Sequence, residues 1–164
     1  MSNHWHEATY VLETLGMKAH GQDDDGMDLF FVNDRLEYLK IKDASLFRKA
    51  MQEVKLRPHV ETNMKQALEK LLNAYIYELK SRAPNTKATN LTIIVLTDGL
   101  WRGMNDHNEV EMKIKEFDDK LQKVMEGMAE ERQVSIQFIQ FGDDPNAKER
   151  LRHLDDDMPN WGVK

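Results

Sequence analysis

The stretch "LTIIVLTDGLWRG", residues 91–103, decides the fold. Its first half is apolar and rich in β-branched Ile, Val and Thr, residues that suit a pleated strand. A strand with so little polar alternation needs cover on both faces, which is the mark of a parallel sheet flanked by helices. The run stops at Asp98-Gly99. In an open α/β sheet, function gathers at the carboxyl ends of the strands. A carboxylate there can bind a cation, accept a phosphoryl group or cap the next turn. Gly99 lets the chain turn sharply and brings backbone close to whatever binds. Asp-Gly is also a common turn pair, so plain turn chemistry stands beside the functional reading.

The neighbouring segments agree with that assignment. Upstream, Met64, Ala67, Leu68, Leu71, Leu72, Tyr75, Ile76 and Leu79 form an apolar ladder at helical spacing. Thr62 is expected to cap this helix. Downstream, Val110, Ile114, Phe117, Leu121, Val124 and Met128 mark another long helix. "VSIQFIQF", 134–141, is a further strand, and Asp143 or Asp144 before Pro145 opens a last helix, since Pro suits the first helical turn. Nearer the N-terminus, Trp5, Ala8, Leu12, Leu15 and Ala19 predict an amphipathic helix over 4–20. "MDLFFVN", 27–33, and "RLEYLKI", 35–41, read as a hairpin across Asn33-Asp34. Asp43 can cap a short helix carrying Leu46, Phe47, Ala50 and Val54.

The 164 residues predict one domain over 1–164 with a sizeable core. Hydrophobic residues make up 40% and charged residues 32%, a balance suited to a folded rather than a disordered chain. The net charge of -6 argues against general nucleic-acid or anionic-membrane binding. With no cysteine, disulfides, thiolate zinc sites and thiol catalysis are excluded. No apolar run has the length of a spanning helix, and "MSNHWHEATY" lacks the regions of a secretory signal. The expected setting is intracellular, in the cytoplasm.

Four blocks together resemble the von Willebrand factor type A (vWA) family, in its intracellular fungal form: "DDDGMDLFFVN" (23–33), "TNMKQALEKLL" (62–72), "NLTIIVLTDG" (90–99) and "VSIQFIQFGDDPNAKERLRHLDDD" (134–157). Thr-Asp-Gly alone is a weak signal; the four blocks in order span nearly the whole chain. The resemblance implies a Rossmann-like α/β fold, a mainly parallel sheet with helices on both faces. It also implies a non-enzymatic protein-interaction module, sometimes bridging to its partner through Mg²⁺. In the family's metal-ion-dependent adhesion site, Asp98 matches the aspartate after the fourth strand. The middle-loop threonine falls at Val60, with Thr62 two residues on as a second candidate. The Asp-x-Ser-x-Ser segment has no counterpart, and Ser2 to Trp5 match the start of the first helix. The domain is therefore expected to be truncated at both ends and to lack its first strand. One carboxylate and one hydroxyl leave most of an octahedral Mg²⁺ shell to water, so only weak binding is expected. Exposed edges on 27–33 and 91–97 predict self-association unless the two strands pair with each other.

Other clusters have plainer readings. "DDDGMD", 23–28, fails as an EF-hand, because Gly21 and Val32 would occupy positions that require acids; it reads as a turn. His4 and His6 diverge on a helix, and Trp5 reads as core. Asp155-Asp156-Asp157 reads as a solvated helix end. Asp98 with Asp143 or Asp144 is the basis for the alternative, a metal-dependent phosphotransfer or hydrolase domain. No phosphate loop, Ser/His/Asp set or H-E-x-x-H motif supports it.

Overall fold

The computed structural model describes residues 1–21, 25–32, 37–54, 62–82, 89–104, 108–125 and 134–156. It divides into two compact units, Met1–Thr62 and Asn63–Lys164. Both mix helix and strand, so the chain is α/β in the broad sense. The described strands form two two-stranded sheets, one antiparallel and one parallel, in place of the single mainly parallel sheet expected from the sequence.

The first unit begins with a 3-10 turn, Ser2–His4, leading into α1 (Trp5–Ala19). Ala8, Leu12 and Gly16 of α1 are buried, and α2 (Ala44–Glu53) contributes Phe47, Ala50 and Met51. The two helices meet closely. A Cβ on Gly16 would lie 2.5 Å from the Phe47 ring, so only glycine allows this approach. Trp5 is half-buried rather than core; its Nε1 donates to Met51 O at 3.0 Å and its ring lies 6.1 Å from that of Phe31. As the sequence predicts, Asp43 caps α2, accepting from Ser45 N at 2.9 Å. The backbone N–H donation holds the Asp43 carboxyl below its ordinary pKa.

The predicted hairpin is present: β1 (Met27–Phe30) pairs antiparallel with β2 (Glu37–Ile41). The strands are shorter than 27–33 and 35–41, and the Asn33-Asp34 turn lies outside the described residues. The register shifts between Met27 and Leu29, which leaves one extra residue in β2. Lys40 takes up that shift with φ 55, and Asp28 Oδ1 accepts from its N–H at 2.7 Å. This is a β-bulge held by a side chain.

In the second unit, α3 (Met64–Ser81) buries Met64, Leu68, Leu72, Tyr75 and Ile76, the ladder legible in the sequence. Its cap is Asn63, not Thr62. Asn63 Oδ1 accepts from Gln66 N at 2.9 Å, three residues on, as a capping side chain must. The strand β3 (Leu91–Thr97) pairs in parallel with β4 (Val134–Gln140), from Leu91↔Val134 to Thr97↔Gln140. Between them in sequence lies α4 (Glu109–Val124), which buries Val110, Ile114 and Phe117; Met128 falls outside the described residues. Leu91, Ile93, Val95, Ile136 and Phe138 join α3 and α4 in one apolar cluster. Lys65–Glu109 and Lys113–Glu69 ion pairs, at 3.2 and 3.0 Å, bridge the two helices at its rim. Pro145 opens α5 (Pro145–Asp156) as predicted, and Leu154 closes the cluster from that helix. Among the described residues, no helix is long and apolar enough to cross a membrane.

Candidate functional site

Parallel pairing brings the exits of β3 and β4 side by side, which sets Thr97-Asp98-Gly99 beside Gly142-Asp143-Asp144. Thr97 is 3% exposed, and its Oγ1 accepts from Gly99 N at 2.9 Å and from Trp101 Nε1 at 3.0 Å. Asp98 is half-buried; its Oδ1 accepts from Leu100 N at 3.2 Å. Two consecutive side chains thus hold the turn after the strand, each receiving the N–H two residues ahead, the geometry of Ser/Thr and Asx turns.

Gly99 answers for itself. Its φ is +72, and a Cβ on it would sit 2.6 Å from Ala147 Cβ and 3.2 Å from Ala147 Cα. The glycine is there because the turn presses on the first part of α5. Arg150, one turn further along α5, donates from Nη1 to Gly99 O. Its guanidinium also lies 5.4 Å from the centroid of the Trp101 ring, a cation–π distance, and Trp101 is 5.8 Å from Phe138. Turn, tryptophan and helix form one locked corner.

On the other exit, Asp144 Oδ1 accepts from Asn146 N at 2.9 Å and Ala147 N at 3.0 Å. Asp144 is therefore the N-cap of α5. Asp143 is exposed. The structure thus brings Asp98, Asp143 and Asp144 to one edge, as the sequence implies. Thr62 ends the first unit, whereas Asp98 belongs to the second. Val60 lies outside the described residues.

The acids at this edge can accept backbone hydrogen bonds, and Asp98 could contribute an oxygen to a cation. Mg²⁺ requires about six oxygen ligands in near-octahedral order. Among the described residues, no group of three His, Asp or Glu side chains is placed to hold a metal ion. The donor set does not fit a tightly held Mg²⁺. His4, considered with His6, instead meets Glu7 Oε2 at 3.0 Å. Asp156 of the acidic helix end meets Arg152 at 3.3 Å.

Arg150 is the residue sequence reasoning missed. The signal was present: Ala147, Leu151 and Leu154 mark the inward stripe of α5, and Arg150 lies beside that stripe. Gln140, the partner of Thr97 in the ladder, was also passed over. Its Nε2 is buried without a hydrogen-bond partner among the described residues. Comparisons with family profiles, curated proteins and solved structures give no match for this chain.

Proposed function

We propose that the chain is a non-enzymatic protein-interaction module of vWA type, with the carboxyl edge of β3 and β4 as its contact surface. The observation that carries this reading is the use made of the acids. Asp98 and Asp144 each receive backbone N–H groups and so build the turn and the helix cap. General acid–base chemistry instead needs a carboxyl aimed at a reacting proton. Next to them the loop presents Leu100, which is 42% exposed, and the exposed Arg102. Arginine beside an apolar side chain suits the rim of a protein contact. Mg²⁺ at Asp98 is a weak accessory in this reading.

Two measurements on the purified chain and its Asp98→Ala variant test the proposal. Calorimetric titration with MgCl₂ should give affinity in the millimolar range or weaker, on the order of low-affinity extracellular cation sites. Incubation with p-nitrophenyl phosphate and Mg²⁺ should give no turnover that depends on Asp98. Micromolar Mg²⁺ affinity lost in Asp98→Ala would restore a true metal centre. Asp98-dependent phosphate release would make the domain an enzyme and end the proposal.

A further inference from the structure

The direction of the hydrogen bonds in β3 leaves one edge of that strand unanswered. Thr97 O accepts from Phe141 N at 2.8 Å, and the ladder runs without a break back to Leu91 and Val134. In an extended strand, the N–H and C=O of a residue point to the same edge, and successive residues alternate. Leu91, Ile93, Val95 and Thr97 therefore direct their backbone toward β4. Thr92, Ile94 and Leu96 direct theirs to the opposite edge. Among the described residues, no strand pairs there, and no other hydrogen bond reaches these three residues. Ile94 and Leu96 are half-buried. A backbone N–H or C=O without a protein partner is a strong hydrogen-bonding group and favours acquiring one.

We propose that β3 of a second copy of this chain completes the edge, running antiparallel about a two-fold axis at Ile94. The strand is suited to it. Residues 91–97 contain no charge, proline or glycine, and their register holds no bulge, so the usual guards of an open edge are missing. In this register, Ile94 exchanges both backbone hydrogen bonds with Ile94 of the partner subunit. Thr92 does the same with Leu96 of the partner subunit. Hydrogen-bond geometry selects the direction. In a parallel ladder, residues directly opposite each other point to different edges, as Thr97 and Gln140 do, so two β3 edges would pair in parallel only with a one-residue offset that no two-fold axis closes. The antiparallel register closes, and it sets Asp98 opposite Asn90 of the partner subunit. The contact is self-complementary and closes as a dimer with one four-stranded sheet. It does not depend on the binding role proposed above.

The absence of native cysteine makes the register directly readable. In a hydrogen-bonded antiparallel pair, the two Cα atoms stand about 5.5 Å apart, within disulfide reach. Ile94→Cys should therefore form a covalent dimer under mild oxidation. Leu96→Cys, whose symmetry mate would lie roughly 13 Å along the strands, is the control, and should cross-link at least about tenfold more slowly. The wild-type chain should sediment as a dimer at high micromolar concentration, with exchange of the Thr92, Ile94 and Leu96 amides slowing as concentration rises. Equal cross-linking of the two variants would overturn the register. A wild-type monomer whose Ile94 amide is already slow would show that a segment of the same chain fills the edge, which also overturns the proposal.

Discussion

The β1–β2 hairpin and the β3–β4 pair are both two-stranded, yet they treat their edges in opposite ways. The hairpin carries Glu37 and Lys40 in its second strand, a bulge at Lys40 and the Asp28 side chain on the Lys40 N–H. Charges and bulges discourage further strands from docking. Its unit draws its core from the contact of α1 with α2, around Phe47 and Gly16. The parallel pair is uncharged and regular, and its strands supply the floor of their unit's core. A sheet that carries the core must be apolar, and apolar strands forgo the polar guards that an edge needs. The lesson is that edge protection and core formation compete for the same side chains.

The largest test of this contrast lies in the cores. Leu72 is 1% exposed at the centre of α3, and Leu72→Ala should cost about 2–5 kcal/mol in chemical denaturation. Phe47→Ala, equally buried, should cost about 3–5 kcal/mol through the α1–α2 contact. A negligible loss at Leu72 would mean that β3 and β4 are not the floor of the second core.

Gly99→Ala comes next. The new Cβ meets Ala147 at a backbone φ of +72. Left-handed strain and overpacking together should lower stability by about 2–4 kcal/mol. Urea unfolding reads this directly, and an unchanged midpoint would show that the turn does not press on α5.

A smaller effect is expected in the hairpin. Lys40 has φ 55, a conformation that glycine adopts freely. Lys40→Gly should therefore raise stability, by up to about 1 kcal/mol, since the relieved strain exceeds the added chain entropy only slightly. A clear loss would show that the Lys40 side chain, rather than the bulge, organises the hairpin.

The smallest effect concerns acid. Asp43 has its pKa lowered from 3.8 by the Ser45 backbone N–H. A depressed native pKa contributes stability that is present above the unfolded value and is lost as pH falls through the native one. The stability difference between the wild type and Asp43→Asn should therefore favour the wild type at neutral pH and shrink below the ordinary carboxylate range. Thermal melts across pH 2–7 check the sign; a difference that grew with acid would reverse it.

Local pattern alone determined a good deal of this protein. The α3 ladder, the Asp43 cap, Pro145 at the head of α5 and the strands 91–97 and 134–141, the latter one residue longer than β4, follow from periodicity and capping chemistry, which act over a few residues. The same is true of the hairpin, whose two strands are neighbours in sequence. Capping went astray by one residue at α3, because Thr62 and Asn63 are both good caps; only backbone geometry chooses Asn63.

What tertiary structure alone decided is long-range. Nothing in "LTDG" says that Gly99 faces Ala147, 48 positions later, or that Arg150 reaches back to Gly99 O and lies against Trp101. Nor does the apolar run 91–97 reveal which strand borders each of its edges. Strand pairing is a contest between distant segments, settled by the whole arrangement of core and connections. The role of Asp98 is decided in the same way. The sequence placed a carboxylate at the end of a greasy strand. The fold gave it the Leu100 N–H and seated the following glycine against a helix. Contacts made across so many residues leave no local periodicity to read.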